Sequence, residues 1–76
     1  MVEKGQKYRH FKGSIHEIIA VAKHTETGED MVIYDHDGQI WARPYDMFVS
    51  PVDHEKYPDV KQEYRFELIE DNSKQR

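Results

Sequence analysis

VIYDHDGQIWARPYDMF, residues 32–48, carries the reading of the fold. It opens on an apolar run ending at Tyr34, passes through Asp37-Gly38, and continues into a second apolar run, Ile40-Trp41-Ala42. Asp-Gly between two such runs predicts a tight β-hairpin, since the turn needs backbone conformations that these two residues tolerate. Pro44 has no N–H to give to a ladder, so the second strand is expected to end near Arg43. Tyr45-Asp46-Met47-Phe48 then suits a single helical or 3₁₀ turn with Pro44 at its first position.

Outward from this hairpin the chain keeps strand texture. KYRHFK, residues 7–12, alternates Tyr8, His10 and Lys12 with Arg9 and Phe11 between Gly5 and Gly13, and reads as a strand with a stop on each side. Ile15–Ala22 is a run rich in Ile and Val, expected to be a central strand covered on both faces, with a helical phase as the competing assignment. HTETGED, residues 24–30, is a polar connection in which Gly28 is free to take positive φ. Residues 50–62, with Pro51 and Pro58, form the longest irregular surface segment. Tyr64, Phe66 and Leu68 alternate with Arg65, Glu67 and Ile69 as a closing strand with one apolar face. DNSKQR from Asp71 onward reads as a frayed tail, which leaves an ordered core over about residues 5–70 of a single domain. The expected fold is all-β, a small SH3-like roll or barrel of about five strands with one short helical or 3₁₀ turn. Closing the sheet is the remedy for exposed edges in a domain too small to cover them with helices.

Composition bounds the function classes. Seventy-six residues make one domain near the lower limit for an unaided core, and its 37% hydrophobic and 34% charged content is globular but polar. Nine aromatic residues argue against disorder, because ring burial offsets chain entropy. The absence of cysteine removes disulfides and thiolate zinc sites from consideration. MVEKGQKY has no apolar signal region, and no apolar run approaches the ~20 residues of a membrane span, so a cytoplasmic protein that engages no membrane is expected. The net charge of −4 is uneven. Residues 1–13 carry Lys4, Lys7, Arg9 and Lys12 against Glu3, whereas residues 26–37 carry Glu26, Glu29, Asp30, Asp35 and Asp37 with no cation. The two segments are expected to lie side by side and attract, the alternative being that the amino-terminal strand presents a basic strip to an acidic partner. Whole-chain acidity disfavours nucleic acid as a partner, since phosphate neutralisation needs many cations on one face.

YRHFKG (residues 8–13), HTET (24–27), VIY (32–34), WARPYDMF (41–48) and RF (65–66), in that order, resemble a small bacterial family, the domain of unknown function 1653. The resemblance runs from about Gly5 to about Ile69. It implies an SH3-type barrel, in agreement with the strand pattern, and brings no activity, cofactor or catalytic residue. YDHDGQIW is shorter than the family's usual stretch before the tryptophan, which implies that a function seated in that loop is altered in this chain.

Candidate contact residues come from rings beside cations. Tyr8, Trp41, Tyr45 and Phe48 are the raw material of an aromatic groove of the kind that holds extended or proline-rich segments. Against this, Trp41 and Phe48 are also the natural core of a chain with little else to bury, and Trp41 is expected mainly as a packing residue. Arg9 and Arg43 suit a partner's carboxylate or phosphate, or pairing with Asp46 or the acidic 26–37 segment. The expected binding surface is therefore Tyr8, Arg9, Trp41, Arg43 and Tyr45, with both tyrosines near one rim and the guanidinium groups between them. His10, His16, His24, His36 and His54 lack metal-ligand spacing, and the side chains of Asp35-His36-Asp37 alternate between faces, so no metal and no cofactor are expected. His10 is read as a hydrogen-bonded structural residue. His24 with Thr25, Glu26 and Thr27 reads as a polar turn rather than a site, and none of the three serines lies in a Gly-x-Ser-x-Gly setting. The function expected is a non-catalytic module for an unknown protein or peptide partner, itself a monomer or weak dimer. A nucleic-acid accessory domain and a small hydrolase or metal-binding protein are the alternatives.

Overall fold

The computed structural model describes residues 1–72. The elements are β1 (Gln6–His10), β2 (Ile15–Lys23), β3 (Asp30–His36), β4 (Gln39–Pro44), a four-residue helix α1 (Tyr45–Phe48) and β5 (Phe66–Asp71). They form one antiparallel five-stranded sheet in the order β4-β3-β2-β1-β5. The hairpin read from Asp37-Gly38 is present. Asp37 (φ 54) and Gly38 (φ 77) occupy the two turn positions between His36 and Gln39, and the Gly38 N–H donates to Asp35 Oδ1 at 2.9 Å. Two positive φ angles make the turn twist with the flanking strands.

β4 and β5 lie at opposite edges of the sheet and share no ladder. The Arg43 guanidinium of β4 nevertheless lies over the Phe66 ring of β5, 5.4 Å from its centroid. The sheet has curled until its two edges meet through side chains. This is the all-β roll expected from sequence, with the hydrogen-bonded closure replaced by a side-chain seam. Helix α1 plugs the curl: Phe48 stacks on Phe66 with centroids 4.0 Å apart and planes 8° from parallel. Around this pair lie Val2, Ile18, Val32 and Tyr34, all buried.

Several expectations need correction. β2 is central but covered on one face only. His16 and Ile18 point inward at 6% and 1% exposure, while Ile15 and Ile19 on the other side are 43% and 37% exposed. A register shift between Ile18 and Ala20 puts a bulge into the strand. A single sheet in a chain of this size has no second layer for its convex face. β1 ends at His10, and Phe11 and Lys12 belong to the turn closed by the Gly13 N–H on the His10 carbonyl, 2.7 Å. Gly13 has φ 104 there. Pro44 is the last residue of edge strand β4 and the N-cap of α1, one position before the helix proper. Such an edge tolerates its missing N–H.

The closing strand starts at Phe66. Tyr64 instead makes an isolated bridge with Pro51, and Tyr64 and Leu68 are exposed while Phe66 is buried. Asp71 ends β5 and the Asn72 N–H reaches the Gly5 carbonyl at 3.2 Å, so the tail begins later than expected. The rest of that tail, 73–76, lies outside the described residues. Val2 is core, so order reaches further toward the amino terminus than residue 5. The basic and acidic segments do not pair as expected, because β2 separates β1 from β3. Lys7 pairs instead with Glu70 at 3.4 Å, and Asp30 with Lys23 at 2.6 Å. Among the described residues no helix is long and apolar enough to cross a membrane.

Candidate functional site

Strand alternation sorts side chains onto two faces, and the register decides which ones meet. Tyr8 opposes His16, Tyr34 opposes Trp41, and His10 opposes Phe66. Glu17 opposes Asp35, which brings the inward neighbours His16 and His36 together. Every one of these rings stands on the concave face. Two hollows flank the Phe48–Phe66 stack, and a third, of about 310 Å³, lies beyond His10 and Lys12 between Asp53, Tyr57 and Arg65.

The first hollow, about 290 Å³, is lined by Val2, Tyr8, Tyr45, Phe48 and Tyr64 among others. It holds both candidate tyrosines, half-buried. Their hydroxyls already have partners: Tyr8 donates to Gln6 Oε1 at 2.9 Å, and the Val2 N–H donates to the Tyr45 hydroxyl at 3.3 Å. The Tyr8 ring meets Phe48 edge-on at 5.2 Å. Burial, followed by the nearby Tyr45, raises the Tyr8 hydroxyl pKa above the ordinary phenol value. These tyrosines pack and bond as the wall of the core.

The second hollow is larger, about 350 Å³, and chemically distinct. His10 (β1), Lys12 and Ser14 (the β1–β2 turn), His16 (β2), Tyr34 and His36 (β3), Trp41 and Arg43 (β4) and Phe66 (β5) line it. The lining contains cations, imidazoles, the hydroxyl-bearing Ser14 and Tyr34 and aromatic rings, and no carboxylate. His16 stacks on His36 with centroids 4.6 Å apart and meets Tyr34 and Phe66 edge-on. His16 Nε2 lies 2.8 Å from Ser14 Oγ, while Nδ1 of His16 and Nδ1 of His36 are buried without a partner among the described residues. Burial above all, then His36, His10 and Arg43, pushes the His16 pKa down to about 4. His10, whose Nδ1 accepts the Lys12 N–H at 3.1 Å, is lowered in the same direction by burial and then by Arg43. The Lys12 ammonium also lies 5.3 Å over the Tyr57 ring and, by hydrogen bonding, lowers that phenol's pKa.

The five residues expected to form one surface are thus divided among three places. Tyr8 and Tyr45 share the first hollow, Trp41 and Arg43 share the second, and Arg9 is exposed on the convex face with Ile15 and Glu67 as its register neighbours. Arg9 is therefore not between the tyrosines. Trp41, expected as packing, is 52% exposed, because its strand is an edge and its ring stands at the open mouth of the curl. Neither arginine has the internal acid partner expected of it: no ion pair involves Arg9 or Arg43 among the described residues. His24 sits in a polar turn, its Nδ1 accepting the N–H groups of Glu26 and Thr27.

Sequence reasoning missed the histidine trio of the second hollow. Its signal was the pairing of each imidazole with a core residue two positions away on the same strand: Tyr8 with His10, His16 with Ile18, and Tyr34 with His36. Among the described residues no group of three or more His, Asp or Glu is disposed to hold a metal ion. Within the trio His16 and His36 stack, while His10 lies tilted by 55° with its centroid 6.0 Å from that of His16. Asp37 approaches His36 Nε2 only to 3.8 Å from the exposed turn.

Comparison with curated proteins finds no match, and comparison with solved structures finds none either. The family described as "Protein of unknown function (DUF1653)" matches this chain over residues 6–68, from the first residue of β1 into β5, and the chain belongs to that family.

Proposed function

We propose that the domain is a non-catalytic binding module that takes an extended segment of a protein or peptide across the mouth of the curled sheet. The observation that carries this reading is Trp41. The chain's one tryptophan stands on the concave face, 52% exposed, beside a hollow walled by rings. A large ring left wet at the rim of a cavity is the arrangement of a contact residue. Selection of a random peptide library on the immobilised domain tests it. The wild type enriches a consensus, and Trp41→Ala loses that enrichment while keeping its far-ultraviolet spectrum. Failure of the wild type to enrich any sequence, or undiminished binding by Trp41→Ala, would count against the reading.

One contact favours a second reading. Ser14 Oγ and His16 Nε2 at 2.8 Å have the spacing of a nucleophile and its base. A base whose pKa is held near 4 takes up a proton poorly at neutral pH, and no carboxylate orients its Nδ1 among the described residues. These features support binding over acyl transfer. Turnover of an activated aryl ester that disappears in Ser14→Ala would reverse that preference.

A further inference from the structure

We infer that the second hollow recognises a carboxylate carried beside an aromatic ring, as at the free carboxyl end of a peptide whose last residue is aromatic. Arg43 receives the carboxylate and Trp41 the ring. The inference deepens the binding-module reading and rests on it.

Three observations converge. Arg43 faces the hollow half-buried, its guanidinium lies over the Phe66 ring 5.4 Å from the centroid, and no ion pair involves it among the described residues. In a chain with 15 acidic residues, none lines this hollow. A guanidinium partly withdrawn from water without a counter-charge is unfavourable, and a ligand anion relieves it. Second, the other polar groups around it are donors or neutral. They include the Ser14 and Tyr34 hydroxyls, the Lys12 ammonium, and imidazoles whose Nδ1 atoms, on His16 and His36, have no partner among the described residues. His16 is only 6% exposed, so its unmet nitrogen belongs to the interior of the site and not to bulk water. Third, Trp41 precedes Arg43 by two positions on β4, so both side chains project from the same face about 7 Å apart along the strand. That spacing suits a ring and an anion on one residue.

The charge inventory favours a carboxylate over a phosphate. Lys12 is already shared with the Phe11 and Tyr57 rings, which leaves one planar guanidinium fork as the main cation. A fork of that shape matches a planar monoanion in bidentate fashion. A phosphate dianion calls for more positive charge than the hollow provides.

Because Trp41 is the only tryptophan, its fluorescence reports directly on the site. The full chain is titrated with N-acetylphenylalanine, its amide, phenyl phosphate and acetate, and with a short peptide ending in phenylalanine as free acid and as amide. The free acids are expected to shift Trp41 emission saturably and the amides to bind roughly tenfold or more weaker, the worth of a charged hydrogen bond. Arg43→Gln should remove the acid–amide difference, Arg43→Lys should retain part of it, and Arg9→Gln, on the convex face, should leave it intact. The peptide acid binding more tightly than N-acetylphenylalanine identifies a peptide terminus as the ligand, and equal binding identifies a free aromatic acid and overturns the peptide assignment. Acid and amide binding alike would overturn the carboxylate inference while leaving the module reading standing. Tighter binding of phenyl phosphate would overturn the choice of anion, and acetate binding as well as N-acetylphenylalanine would overturn the role of the ring. If no aromatic probe binds, the inference fails, and the peptide-library selection decides separately whether the module reading fails with it.

Discussion

At the scale of single residues, Phe48 and Trp41, both read from sequence as natural core, part company: Phe48 is core and Trp41 is not. Both are large rings within one stretch of eight residues, yet Phe48 is 1% exposed and Trp41 52%. The difference comes from what carries each. α1 turns Phe48 back onto Phe66, whereas β4 presents Trp41 at the free edge of the sheet. Phe48→Ala is therefore expected to cost about 3–5 kcal/mol, the usual loss for a fully buried ring. Trp41→Ala should cost no more than about 1–2 kcal/mol, since half its surface is already wet. Denaturant unfolding of the two variants checks the pair, and a larger loss for Trp41→Ala would mean that the seam between β4 and β5 is tighter than the ring's exposure indicates. Tyr45 is an intermediate case. Its hydroxyl accepts the Val2 N–H, so Tyr45→Phe should lose about 1 kcal/mol, measurable in the same assay and absent if the amino terminus is held by the Val2 side chain alone.

At the scale of elements, what was legible was what is encoded locally. Asp37-Gly38 specifies its hairpin through the φ values of two adjacent residues, and no distant contact is needed to read it. Gly38 sits at φ 77 with open space where a Cβ would go, so Gly38→Ala isolates the backbone term. It should destabilise by about 1–2 kcal/mol with an unchanged sheet, seen as a lower thermal midpoint under an identical circular dichroism spectrum. An unchanged midpoint would show that the turn does not hold this conformation. Strand faces were less legible. IHEIIAVA has apolar residues in both phases, so the sequence does not declare whether His16-Ile18 or Ile15-Glu17 points inward, and a bulge at Ile19 changes the phase midway. The decision belongs to remote groups: Tyr34 across the ladder, and Phe66 from the other end of the chain. The candidate site was hidden for the same reason. Trp41 and Arg43 could be singled out as a ring and a cation on one strand, but His10, His16 and His36 become one cluster only through the registers of β1, β2 and β3. Arg9, adjacent in sequence to Tyr8, is carried to the opposite face by the same alternation that brings the imidazoles together.

At the scale of the whole molecule, the histidine cluster ties folding to pH. The His16 pKa in the folded protein is about 4, against an ordinary 6.5, because burial and the neighbouring His36, His10 and Arg43 oppose its charged form. His10 is shifted the same way, and the cations facing it include Lys12 and Arg65 as well as Arg43. Between pH 6.5 and about 4 the unfolded chain therefore binds protons that the folded chain refuses. Stability rises with pH wherever the unfolded state holds more protons. The sign follows: above pH 6.5 both states carry neutral His16 and nothing is lost, and on acidification stability falls, with the His16 share complete below about 4. That share is on the order of 3 kcal/mol, since the drop from 6.5 to about 4 is worth about 1.4 kcal/mol for each tenfold change in proton affinity. For a small domain of marginal stability this is a large fraction of the total. Urea unfolding of the full chain at a series of pH values through this window should show the midpoint dropping as pH falls. His16→Gln removes the titrating group while leaving a polar side chain to meet Ser14, so its midpoint should fall much less steeply, whatever its stability at neutral pH. A slope in His16→Gln equal to that of the wild type would assign the acid sensitivity to the carboxylates and His10, and would mean that His16 is more accessible to protons than its place beneath Tyr34, His36 and Phe66 implies.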